Sequence, residues 1–235
     1  MLRCKTLSPL LYMRLPTDTC RESRDIRSIQ HANIIGYSDA CTGSTSAPGI
    51  GGYIPGYGYF GERFPEFKHI LSLSGTTEET NINILELLGL ITTAQLAIQL
   101  YIQQHGSARG CHIHIYCDNS SAISKARTQR SNHPIYSYLL YLLSQIQLTF
   151  GCTIGSSFHP GYLNIVADAI SRTFDVPNGE WIFKRYLSHL PYYRLSKGCI
   201  LGISRQLLTS QHSVLLTQAP RPIRLVLSCS NHFSN

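Results

Sequence analysis

Four carboxylic acids in this sequence stand where a fold would gather them. Asp39 closes a short apolar run, Glu86 opens a long apolar helical pattern, Asp118 closes an alternating run, and Asp168 lies in a short helical segment. Strand ends and helix starts of an α/β fold meet along one sheet edge, so the four acids would share one place. Ionised carboxylates that close repel one another by roughly several kcal/mol unless cations neutralise them. An all-oxygen donor set suits Mg2+ or Mn2+ better than zinc. Two such ions about 3.5–4 Å apart would clamp the attacking and leaving oxygens of an in-line phosphoryl displacement.

Each acid also has a plainer reading. Asp39 reads as a turn residue before a Gly/Ser loop. Glu86 reads as an acid that the helix macrodipole favours near an N-terminus. Asp118 and Asn119 read as the start of a helix cap, and Asp168 as the partner of Arg172 four residues on. The series of four, each in its own strand or helix context, is what the plain readings leave unexplained.

The elements that must position them follow from periodicity and punctuation. Residues 33–40 (NIIGYSDA) read as a strand and 41–49 as a Gly/Ser/Thr/Pro loop. Residues 51–54 and 58–64 flank a Pro-Gly turn and read as a hairpin. Residues 67–80 read as a connection with some extended structure. Ile84–Gln104 is the clearest helix, with Ile84, Leu87, Leu88, Ile91, Gln95, Ile98 and Ile102 on one face. Glu86 projects with Leu90 and Ala97, off that stripe, and a carboxylate there needs a cation or hydrogen-bond donors. A strand over 111–118, a short helix capped by Ser120 or Ser121, a helix over 134–150, a strand over 153–159 and a helix over 165–172 capped by Asn164 complete the pattern. The sum is an α/β domain with a five-stranded mixed sheet and helices packed on both faces. It spans residues 33–172, between a basic linker or remnant of an upstream domain (1–32) and a basic, partly disordered tail (173–235).

Composition narrows the classes. The 235 residues are 43% hydrophobic and only 14% charged, so wholesale disorder is excluded. Net charge is +3 over residues 1–38, −2 over 39–171 and +6 over 172–235. An acidic middle between basic flanks suits a carboxylate metal site with phosphate-gripping arms; solvated basic tails explain the flanks equally well. The eight cysteines include no C-x-x-C pair, against a zinc ribbon or a thioredoxin-like motif. Neither a secretion signal nor a good membrane span is legible, so the expected setting is intracellular, cytoplasmic or nuclear, and not secreted.

The segments YSDAC (37–41), INILEL (82–87), YCDN (116–119) and FHPGYLNIVADAISR (158–172) carry a family likeness. Together they resemble the ribonuclease H domain of retroelement reverse transcriptases. DACTGSTSAPGIGGYIPG (39–56), followed by I-N-x-x-E, is most similar to tyrosine-recombinase-type (DIRS-like) retrotransposons. The resemblance covers residues 33–172. It implies a ribonuclease H-like fold and Mg2+-dependent cleavage of the RNA strand of RNA–DNA hybrids with two ions, Mn2+ being a substitute. By that resemblance Asp39 bridges both ions, Glu86 and Asp118 hold one, and Asp168 holds the other. His159, nine residues before Asp168, assists proton transfer or product release, though a hydrogen-bonded turn histidine is its plainer reading. Asn119 and Ser120 contact the substrate backbone, with helix capping as the simpler account.

The expected partners are an RNA–DNA hybrid and the reverse transcriptase polymerase domain of the same element, with no membrane. No Y-x-D-D motif is present, so the chain does not copy nucleic acid by itself, and it reads as part or remnant of a retrotransposon polyprotein. Glu86 and Asp118 lie 32 residues apart, long for compact members of that family. Two other functions stay open: a non-catalytic nucleic-acid-binding or connecting module, and a transposase or integrase nuclease. The Asp168 segment preceded by His159 favours ribonuclease H over the latter.

Overall fold

Residues 32–43, 47–65, 78–195 and 227–230 are described by a computed structural model, 78–80 and 227–230 as backbone alone. Most of the linker expected over 1–32, most of the connection expected over 67–80 and much of the basic tail lie outside the described residues, and 78–80 open a helix rather than continue the connection.

Three antiparallel strands open the sheet: β1 (Ile34–Cys41), β2 (Gly49–Ile54) and β3 (Gly58–Arg63). The β2–β3 turn works because Gly56 takes φ +80°, which a side chain disfavours, and Tyr57 N–H closes it on Ile54 O at 3.0 Å. The chain then crosses over through α1 (Glu78–His105) to β4 (His112–Cys117), which pairs parallel to β1. Helices α2 (Ser120–Thr128) and α3 (Pro134–Phe150) lead to β5 (Thr153–Phe158), parallel to β4. Helix α4 (Ile165–Ser171) follows. The expected class, a mixed α/β sheet with helices on both faces, is the class found: α1 packs on β1, β2 and β4, and α4 packs on β1, β2 and β3.

Helix α1 is the centre of the core. Ile84, Leu87, Leu88, Ile91 and Ile98 are fully buried, and so are Leu90 and Ala97 on the side that carries Glu86. Burying each such Leu or Ile stabilises by roughly 1.5–3 kcal/mol, so the helix is held by its packing rather than by its caps. The helix is long and apolar enough to cross a membrane by composition, but 89% of its most apolar stretch is buried inside the fold.

The strand count is corrected from five to seven, in the order β5-β4-β1-β2-β3-β6-β7. The added strands are β6 (Tyr192–Leu195), parallel to β3, and β7 (Leu227–Ser230), antiparallel to β6. Between α4 and β6 lie a short helix, α5 (Gly179–Ile182), and a π-helical turn, Phe183–Leu187. A domain edge at 172 therefore falls short of the sheet. Four-residue strands show no period of their own, and β6 owes its existence to the free edge of β3 and to burial of Tyr193 and Leu195.

Candidate active site

Asp39 sits two residues before the end of β1 and is 4% exposed. Across the sheet it faces Gly51, which in turn faces Gly61. This bare row lets α4 lie directly on the strands. A Cβ on Gly51 would stand 2.4 Å from Ser171 N, and one on Gly61 would stand 2.9 Å from the Ile170 side chain. Ser171 at the end of α4 thereby reaches Asp39, and its Oγ donates to Asp39 Oδ2 at 2.6 Å. Asp168, one turn earlier, accepts from Arg172 Nε at 2.6 Å. Asn164 stands at the N-cap of α4, yet its side chain makes no capping bond; its Nδ2 donates to Ser38 O at 2.9 Å instead and ties α4 to β1.

Glu86 comes from the opposite face of the sheet. Its Oε1 accepts Ala40 N–H at 3.2 Å, and its Oε2 accepts from Cys117 Sγ at 3.5 Å. Asp118 follows β4 and is half-buried. The Gly of the His-Pro-Gly turn makes room for it, since a Cβ on Gly161 would lie 2.9 Å from Asp118 Oδ2. Ligand atoms of Glu86, Cys117 and Asp118 lie within 4.8 Å of one another.

All four acids line one cleft of about 590 Å3, together with Asp175, Asn119, Arg63 and Arg172 among others. Five carboxylates thus meet two guanidiniums. The imbalance marks the acids' proton affinities. Burial first, opposed by the Ser171 hydrogen bond and reinforced by Asp118 and Asp168, pushes Asp39 up to about 8. Burial and then the charges of Asp39 and Asp118 hold Glu86 well above the usual carboxylate range. Burial raises Asp118 in the same direction. A divalent cation in the cleft would compete with protons for these acids, Asp39 above all.

His159 is not among the residues lining that cleft. Its ring packs edge-on against Tyr37 and tilted against Tyr116, at centroid distances of 5.3 and 5.5 Å. Burial lowers its pKa, while the Leu163 carbonyl and the Asp118 carboxylate pull the other way. Asn119 lines the cleft, but its side chain is occupied: Oδ1 caps α2 through Ala122 N–H at 2.9 Å and Nδ2 donates to Asn83 at 2.7 Å. The cap is thus Asn119 rather than Ser120 or Ser121. Ser120 is exposed on the first turn of α2, outside the cleft lining.

Ser171, Cys117, Arg63 and Asp175 belong to the site or its support without standing out as candidates in the sequence. Arg63 Nη1 donates to Ala47 O at 2.6 Å and Nε to Thr173 Oγ1 at 2.7 Å, closing the cleft rim. The Gly-x-Gly spacing of 49–51 was the available signal for Ser171, because paired glycines in a strand mark a close approach of backbone.

No protein-family model and no curated protein sequence matches the chain. Among solved structures it is similar to a ribonuclease H1 from the halophilic archaeon Halobacterium salinarum NRC-1. That likeness has 15% identity and a TM-score of 0.43, over 60% of this chain and 96% of that one. The N-terminal ribonuclease H domain of rv2228c from Mycobacterium tuberculosis, fused to maltose-binding protein, is 12% identical with a TM-score of 0.40, over 65% and 98%. LC11-RNase H1, solved with an RNA/DNA hybrid, is 13% identical with a TM-score of 0.42, over 59% and 93%. Likenesses this distant assign no residue of the cleft.

Proposed function

We propose that the chain is a divalent-metal-dependent nuclease of the ribonuclease H type that cuts the RNA strand of RNA–DNA hybrids. The observation that supports this best is the meeting of Asp39 of β1, Glu86 of α1, Asp118 just after β4 and Asp168 of α4 in one cleft. The donor set fits hard cations: the carboxylates outnumber the guanidiniums, and burial first, then the neighbouring acids, raises the proton affinities of Asp39 and Glu86. Those four acids would hold Mg2+, with Mn2+ as substitute. The ions would supply Lewis-acid charge for phosphodiester hydrolysis.

This chain's own groups do the positioning. Ala40 N–H and Cys117 Sγ orient Glu86, Ser171 orients Asp39, and the gap at Gly161 admits Asp118. His159, its pKa lowered by burial against the opposing pull of the Leu163 carbonyl and the Asp118 charge, would be the group that carries a proton. A hybrid would be recognised by its shape, phosphates and 2′-hydroxyls rather than by base sequence. The reading extends to an intracellular role within, or left over from, a retrotransposon polyprotein, beside a reverse transcriptase polymerase domain.

The test is hydrolysis of a labelled hybrid with Mg2+ by wild type, Asp39→Asn and Asp118→Asn. Cleavage by the wild type alone supports the reading; an uncut hybrid, or equal cutting by the variants, overturns it.

A second reading, a non-catalytic hybrid-binding module, is favoured by one contact: Asp168 is already paired with Arg172. It requires salt-sensitive hybrid binding without Mg2+-dependent turnover.

A further inference from the structure

Ser171 sits behind the cleft, where its hydroxyl meets Asp39. It is 1% exposed. Gly49 and Gly51, on one face of β2, leave the space its backbone fills: a Cβ on either would stand 2.5 Å from Ser171 O or 2.4 Å from Ser171 N. Two groups of β1 then grip the residue, as Cys41 Sγ donates to Ser171 O at 3.2 Å and Asp39 Oδ2 accepts from Ser171 Oγ at 2.6 Å.

The hydroxyl has one hydrogen and two acceptors in range, Asp39 Oδ2 at 2.6 Å and Asp168 O at 2.9 Å. The Asp168 carbonyl already receives Arg172 N–H at 3.1 Å. An ionised Asp39, charged and the nearer of the two, is the stronger acceptor for that one hydrogen, and its Oδ1 has no hydrogen-bond donor among the described residues. A buried carboxylate with one oxygen pinned presents the other in a single orientation.

We propose that Ser171 is a positioning residue for metal binding: by holding Asp39 Oδ2, it commits Oδ1 to the cation and ties the α4 that carries Asp168 to the β1 that carries Asp39. This rests on the nuclease reading and adds to it a residue that touches neither substrate nor ion. Groups that orient a ligand in this way are typically worth about 10–100-fold in metal affinity or activity.

The experiment uses Mn2+ as probe, titrated by calorimetry into the full chain without nucleic acid, for wild type, S171A and S171C. Cysteine is close to serine in size with a weak donor, and it decides the matter should the alanine variant not fold. Melting without metal reports any merely structural effect separately. The expected result is about a tenfold weaker Mn2+ affinity in both variants, with a matching rise in the Mg2+ concentration for half-maximal hybrid cleavage. Turnover at saturating Mg2+ should recover most of its wild-type value. Folded variants that bind Mn2+ as the wild type does overturn the role of Ser171 and leave the nuclease reading standing. A wild type that binds no Mn2+ overturns both.

Discussion

Gly161 leaves empty the volume that Asp118 Oδ2 uses: a Cβ there would lie 2.9 Å from that oxygen. The obstructed atom is the end of a movable side chain, so Gly161→Ala costs little stability and instead turns the carboxylate aside. Hybrid cleavage should fall about tenfold, the low end for disturbing a ligand's setting, with melting nearly unchanged. Gly51→Ala is the contrasting variant. Its Cβ would meet Ser171 backbone at 2.4 Å, so α4 must lift off the sheet, at a cost of about 1–3 kcal/mol. Denaturant melts of the pair check this; equal destabilisation would mean that the two glycines do not play different parts.

The buried acids make the metal-free protein sensitive to alkali. Asp39 is raised from 3.8 to about 8. Across that window the folded chain keeps a proton that the unfolded chain has released. Stability then falls as pH rises from about 4 to about 8, since unfolding releases the proton. Glu86, raised in the same direction, adds to the slope. Urea unfolding in chelator at pH 5 and pH 8 should show the loss, and Asp39→Asn should reduce it. A wild type that loses no more stability between pH 5 and pH 8 than the variant does would contradict the buried, like-charged cluster.

Arg172 competes with any cation for Asp168. The pair is partly exposed, with side chains 49% and 36% accessible, so breaking it costs less than about 1 kcal/mol. Arg172→Gln should melt close to wild type and bind Mn2+ a few-fold more tightly by calorimetry. Weaker binding would make Arg172 a support for Asp168 rather than a rival for it.

The chain beyond residue 172 is structurally continuous with the sheet. Leu187 is fully buried and packs in a second cluster with Tyr59, Val166, Ala169, Ile170, Ile182 and Leu190. Leu187→Ala should cost about 2–5 kcal/mol and lower the single melting transition of the domain. A loss confined to a separate, minor transition would restore the edge at 172.

The sequence by itself determined the local elements. The Ile/Leu stripe of α1, the Pro-Gly turn before Gly58 and the alternation of His112–Cys117 are short-range patterns, and each produced the element expected of it. The acids were legible because Asp39 and Asp118 lie at the ends of recognisable runs and Asp168 lies within one; Glu86, expected to open its helix, instead sits about two turns inside α1, which begins at Glu78. Tertiary structure alone decided the rest. Strand β6 exists because β3 has a free edge, a partner more than a hundred residues away that no local period encodes. Ser171 reached Asp39 only because glycines on β2 and β3 let α4 settle against the strands, and Asn164 gave up capping for the carbonyl of Ser38. The seating of Ser171 and Asn164 rests on pairings 126 to 132 residues apart in the chain, so their energy depends on which surfaces meet, not on which residues are neighbours.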